Sequence, residues 1–289
     1  MKTLFLTALA IIAFAANSVL GRLALAEQDI DALGFTMIRL FSGAISLIAI
    51  VYLQRWLSAN SSKIHCQLRH VIGAGSLLAY AALFSLAYLL LDTATGALLL
   101  FASVQITMLL WAVIKGDRPT SIEWLGMVIA IVGLVVLLLP NEFSPSISGS
   151  LLMVASGVAW ALYTLNGRSA KNPLEDTMLN FSLAVPFAAI LCFLYWSSVH
   201  ANSYGIILAI LSGTLSSAVG YSIWYAALPK LTTIQASSVQ LLVPVIAAFG
   251  GVFIVDELIT TRLIIASLMI LGGIFLVNYT TAIIKARAC

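Results

Sequence analysis

Apolar residues run along this chain in long blocks, and polar residues collect in the short gaps between them. The blocks cover residues 3–24, 34–54, 71–91, 93–114 and 122–140, then 149–167, 178–198, 204–228, 232–254 and 261–284. Each is close to the about 20 mostly apolar residues that a helix needs to cross a bilayer. The gaps hold most of the Gly, Pro, Asn and charge, the residues that end helices and form turns. The pattern predicts an all-α integral membrane protein with ten transmembrane helices.

Composition removes the soluble alternative. Of 289 residues, 62% are hydrophobic and 9% charged, with a mean hydropathy of +1.08. A soluble domain is about a quarter charged, and a chain this apolar needs lipid to cover its surface. The net charge of +3 is small and the basic residues lie in short loops, so no nucleic-acid partner is expected. Cys66, Cys192 and Cys289 are widely spaced without a C-x-x-C, and His65, His70 and His200 fall in or near loops. Neither a disulfide framework nor a metal cluster is expected, and no cofactor. The first block, "MKTLFLTALAIIAFAANSVLG", has the Lys2, apolar core and small residues of a secretory signal. It is expected to stay on the chain, because an internal repeat uses it as a full unit.

Lys and Arg set the expected orientation. Lys2, Arg55, Lys63, Arg69, Lys115, Arg118, Arg168, Lys171, Lys230, Lys285 and Arg287 fall on the side of the N-terminus, against Arg22 and Arg262 on the other. By the positive-inside rule both termini are expected in the cytoplasm, in the inner membrane of the cell.

The repeat shows in matched landmarks. At an offset of 140, Gly73 falls on Gly213, Leu91 on Leu231, Asp117 on Glu257 and Gly133 on Gly273. Near the start of each half the offset is 146, where Phe14 meets Trp160, Ser18 meets Thr164, and "GR" at 21–22 meets "GR" at 167–168. Residues 1–140 and 147–289 thus form two five-helix repeats within one membrane domain. Five is odd, so the second repeat inserts upside down. Inverted repeats allow alternating access, since two similar halves can exchange conformations and open to either side.

Three stretches carry a resemblance: "IRLFSGAISLI" with Arg39, "LLFASVQITMLLWAVIKGDRPT", and "SVQLLVPVIAAFGGVFIVDELIT". With the repeat, they resemble the drug/metabolite transporter superfamily in its ten-helix EamA-type branch, over nearly the whole chain. Asp117 stands where that family usually has Glu, Ser103-Val104-Gln105 where a proline often lies, and Pro244 has no partner in the first half. The resemblance implies metabolite export through a cavity lined by helices 1, 3, 4, 6, 8 and 9.

Asp256 and Glu257, side by side between two apolar blocks, read as a bend between helices rather than a catalytic acid pair, with acids near a helix N-terminus favouring its dipole. All eleven acids fall in loops or at span ends. Small multidrug-resistance relatives carry a Glu in the first helix where this chain has Asn17, which disfavours proton-coupled drug extrusion. Arg39, about five residues into its block, either snorkels to the membrane surface or grips a substrate carboxylate. The other candidates for substrate binding are Asn17, Tyr80, Gln105, Trp160, Tyr163, Tyr221, Trp224 and Gln240. Asn166, Tyr225, Gln235 and Ser238 share the same kind of position. Each could instead be an interface anchor or interhelical glue. Trp160 and Tyr163 share one helix face, as do Tyr221, Trp224 and Tyr225. Aromatic faces with a few amides suit small amphipathic solutes such as amino acids.

The expected function is secondary export of small neutral or zwitterionic metabolites, with the solute and the bilayer as partners and a monomer as the working unit. Exchange of sugar-linked or anionic metabolites is the alternative. An intramembrane enzyme would need a nucleophile or acid pair at depth, which the blocks lack.

Overall fold

The computed structural model describes residues 2–58, 65–116, 120–139, 145–167, 170, 172–195, 200–227, 239–240 and 242–288. Among them the regular structure is helical, apart from one isolated bridge between Ile30 and Ala201. The helices are α1 (Lys2–Ala26), α2 (Ala32–Leu57), α3 (Leu68–Tyr88), α4 (Thr93–Ile114), α5 (Ser121–Leu138), α6 (Ile147–Gly167) and α7 (Pro173–Leu194). Next come α8 (Ser203–Leu211), a π-helical segment Ser212–Val219, and α9 (Gly220–Ala227), which continue one another. Then follow α10 (Leu242–Ile254) and α11 (Thr261–Ala288). Among the described residues eight helices are long and apolar enough to cross a membrane, with Leu242–Ile254 and Thr261–Val277 as shorter apolar helices. Of the ninth predicted block, residues 232–238 and 241 lie outside the described residues, as do Asp117, Arg168 and Leu231.

Local chemistry explains the helix starts. Asp31 accepts from the N–H groups of Leu33 and Gly34 at 3.0 and 2.9 Å, opening α2. Thr120 and Glu123 form a reciprocal capping box at α5. Asn172 caps α7, and Pro173 sits at its first position, where no amide donor is needed. This cap starts α7 five residues before the apolar block, so that Glu175 and Asp176 occupy its first turn, where the helix dipole favours them.

Packing then orders the bundle. The helix pairs α3–α6, α2–α7, α4–α6 and α5–α11 pack along their lengths, and α1 lies against α9, α10 and the π segment. The α5–α11 contact is close because small residues let the backbones meet. A Cβ on Gly126 would stand 2.6 Å from the Gly273 carbonyl oxygen. At the crossing of α2 with the π segment, a Cβ on Gly213 would stand inside contact distance of the Arg39 carbonyl and the Ser42 hydroxyl. Large apolar side chains on the outer faces, such as Trp56, Phe253 and Leu268, are exposed, as a lipid-covered surface requires.

Candidate substrate cavity

A cavity of about 320 Å³ lies inside the bundle. It runs from Asn17 and Arg39 to Gly167, Ala170 and Pro173 at the α6–α7 connection. Trp160 forms its aromatic centre. Its ring lies 4.7 Å from Tyr80, 5.3 Å from Tyr163 and 5.4 Å from Tyr221, centroid to centroid. Phe14 meets Tyr221 and Trp224 edge-on at 5.7 and 5.9 Å, closing the other wall.

A chain of hydrogen bonds backs these rings. Ser212 donates to Asn17 Oδ1 at 2.7 Å, and Asn17 Nδ2 donates to Tyr80 Oη at 3.3 Å. Arg39 Nη2 donates to the same Tyr80 oxygen at 3.0 Å, and Arg39 Nε donates to Ser217 Oγ at 3.3 Å. The chain ties α1, α2, α3 and the π segment together. π-helical turns concentrate at functional sites because the widened turn re-aims side chains; here Ser216 and Ser217 line the cavity.

Arg39 does not snorkel. It is 1% exposed, and its guanidinium carbon sits 5.2 Å from the Tyr80 ring centroid and 5.1 Å from that of Phe84. Among the described residues no carboxylate pairs with it. Burying a cation is costly; the two rings and two hydrogen bonds offset part of that, since desolvated cation–π contacts strengthen.

The structure brings Asn17, Arg39, Tyr80, Trp160, Tyr163, Tyr221, Trp224 and Gln240 to one cavity. Gln105, one turn beyond Phe101 on α4, is half-buried and is not part of its wall. Gln235, Ser238 and the Tyr225 side chain lie outside the described residues.

A family model described as EamA-like transporter family matches residues 1–139 and again residues 147–279. The chain belongs to the EamA-like transporter family. This EamA-like chain is 46% identical to an uncharacterized protein of Pseudomonas aeruginosa, over 96% of this chain and 94% of that one. It is 24% identical to an Escherichia coli protein named "Probable amino-acid metabolite efflux pump", over 63% of this chain and 66% of that one. A solved crystal structure, 20% identical, matches its fold with a TM-score of 0.65, over 96% of this chain and 99% of that one.

The EamA-like family resemblance points to helices 1, 3, 4, 6, 8 and 9 as cavity walls; here α2 and α7 contribute as well. From α7 come Asp176, Thr177 and Asn180. Asn180 is the one amide within its apolar block, a signal that could have marked it. Asp176 binds Arg69 bidentately at 2.6 and 3.0 Å and lies 3.1 Å from His70 Nε2, joining the starts of α7 and α3.

At the other end of α3 the bundle of this EamA-like transporter is locked by Glu257. Its carboxylate accepts from the Thr93 N–H at 2.9 Å, from Thr93 Oγ1 at 3.1 Å and from Arg22 Nε at 3.2 Å. Arg22 also donates to the Tyr88 carbonyl at 3.0 Å and lies 3.6 Å from Asp92. Asp256, with φ of 56°, makes the bend. Glu257 therefore caps α4 rather than the helix that follows it in sequence. Burial raises its carboxyl above the ordinary value; the Thr93 N–H pulls the other way, and Asp92 adds to the rise.

Proposed function

We propose that this protein is a secondary transporter that exports small zwitterionic metabolites, amino acids first among them, by alternating access across the inner membrane. The observation that carries the proposal is the cavity itself. It combines an aromatic centre built on Trp160 with polar groups at fixed places, the arrangement that orients a small amphipathic solute. The name of the Escherichia coli relative agrees with this class.

The inverted-repeat reading has two supports. One family model matches each half of the chain. The packing also pairs equivalent helices, α5 with α11 and α2 with α7, and the contact of α3 on α6 has its counterpart where the eighth span lies on α1. Under the orientation read from Lys and Arg, the Gly167 end of the cavity lies towards the cytoplasm and the Glu257 lock towards the periplasm, the polarity that loading for export needs.

Counterflow exchange in liposomes tests the proposal. Labelled L-phenylalanine should enter vesicles preloaded with unlabelled L-phenylalanine and containing the purified protein, with no proton gradient, because the acids fall in loops or at the ends of the apolar blocks. Exchange no faster than in protein-free vesicles rejects the reading. Exchange that appears only with a proton gradient rejects the coupling.

A further inference from the structure

Two residues that line the cavity each hold a buried polar atom with no partner. Arg39 Nη1 is a buried donor without an acceptor, and Asn180 Oδ1 is a buried acceptor without a donor. Arg39 is 1% and Asn180 6% exposed, and they stand on α2 and α7, which pack against each other. Folded proteins rarely leave such atoms unmatched, since losing water without gaining a partner is costly. A cationic donor and a neutral acceptor in one cavity are the complement of a carboxylate beside an ammonium.

We infer that Arg39 and Asn180 form the head-group subsite of this cavity, Arg39 Nη1 binding the carboxylate of an α-amino acid and Asn180 Oδ1 accepting from its ammonium group. The inference rests on the amino-acid reading of the preceding subsection and adds which atoms recognise the substrate. Arg39 is pre-set for the task. Its Nη2 and Nε are held by Tyr80 and Ser217, and its planar group is fixed by the Tyr80 and Phe84 rings. Immobilising the fork beforehand lowers the ordering cost of binding. Asn180 is held too, with its amide packed against Gly73, where an added Cβ would stand 2.8 Å from Oδ1. The aromatic centre at Trp160, Tyr163 and Tyr221 remains for the amino-acid side chain. Among the described wall residues the other charged group, Asp176, is already engaged by Arg69 and His70.

The test is competition in the counterflow assay. Unlabelled L-phenylalanine, L-phenylalaninamide, which lacks the carboxylate, and 3-phenylpropanoate, which lacks the ammonium, compete against labelled L-phenylalanine. For the parental protein both analogues should compete at least about tenfold more weakly than phenylalanine, since each forfeits a hydrogen bond involving a charged group. Arg39→Gln should weaken phenylalanine by at least about tenfold and bring it level with the amide, whose own affinity changes far less. Asn180→Leu should bring phenylalanine level with 3-phenylpropanoate, while Asn180→Asp, which keeps an acceptor, should not. Because Arg39 also joins helices, each variant is checked for parental thermal stability with and without phenylalanine. Equal competition by phenylalanine and its amide, or an equal loss for all three probes in Arg39→Gln, overturns the inference and leaves the transport proposal standing. Absence of phenylalanine exchange by the parental protein overturns both.

Discussion

Trp160→Ala is the most direct probe of the aromatic centre. The indole touches three rings, those of Tyr80, Tyr163 and Tyr221, and forms part of the cavity wall. One indole face turned towards a solute covers roughly 60 Å² of it, about a third of what an aromatic side chain buries. At about 25 cal/mol per Å² this is about 1.5 kcal/mol, or about tenfold in affinity. The apparent KM for exchange should therefore rise about tenfold, with the protein still inserted and folded. Some stability is also lost, because each ring pair contributes about 0.5–1.5 kcal/mol. Trp160→Phe, which keeps a ring, separates the two effects: it should shift KM by less than about threefold. Val128→Ala on the exposed face of α5 is the control and should leave exchange at the parental rate. The readout is initial exchange rate against substrate concentration in liposomes, normalised to folded protein. If Trp160→Ala keeps the parental KM, the indole is packing, and the solute does not bind where the rings meet.

Two further outcomes follow from the ends of the bundle. Because burial raises the Glu257 carboxyl, the stability that its protonation contributes is fully present below the ordinary value of 4.5 and is lost as pH rises through the raised value. The melting temperature of the parental protein relative to Glu257→Gln, which leaves Arg22, Asp92 and Thr93 in place, should therefore fall across that window and then level off. A difference that stays constant from about pH 4 to 8 refutes the assignment. Reporter fusions at residue 289 should be active in cytoplasmic form, following the Lys/Arg asymmetry; activity restricted to a periplasmic reporter would reverse the orientation.

The helical spans were legible in the sequence because a helix in lipid must satisfy its backbone bonds within its own segment, so local apolar length suffices to mark it. The predicted block 93–114 coincides with Thr93–Ile114, and 149–167 starts two residues inside Ile147–Gly167. The aromatic and amide candidates were legible for a related reason: polar atoms deep in an apolar run need partners, and several meet at one cavity. What lies between helices was not legible. Asp176 and Asn180 reach the wall because α7 packs on α2 and α3, and no pattern along α7 reports which neighbour it will have. Glu257 looked like the end of its own hairpin; its partner Thr93 is 164 residues away, and only the approach of α10 to α4 joins them. Arg39 is the sharpest case. Five residues into a span, a long side chain can reach the surface or turn inward, and the sequence allows both. The tertiary structure turns it inward, because the Tyr80 and Phe84 rings and the Ser217 hydroxyl together offer a buried cation partners that no single helix holds.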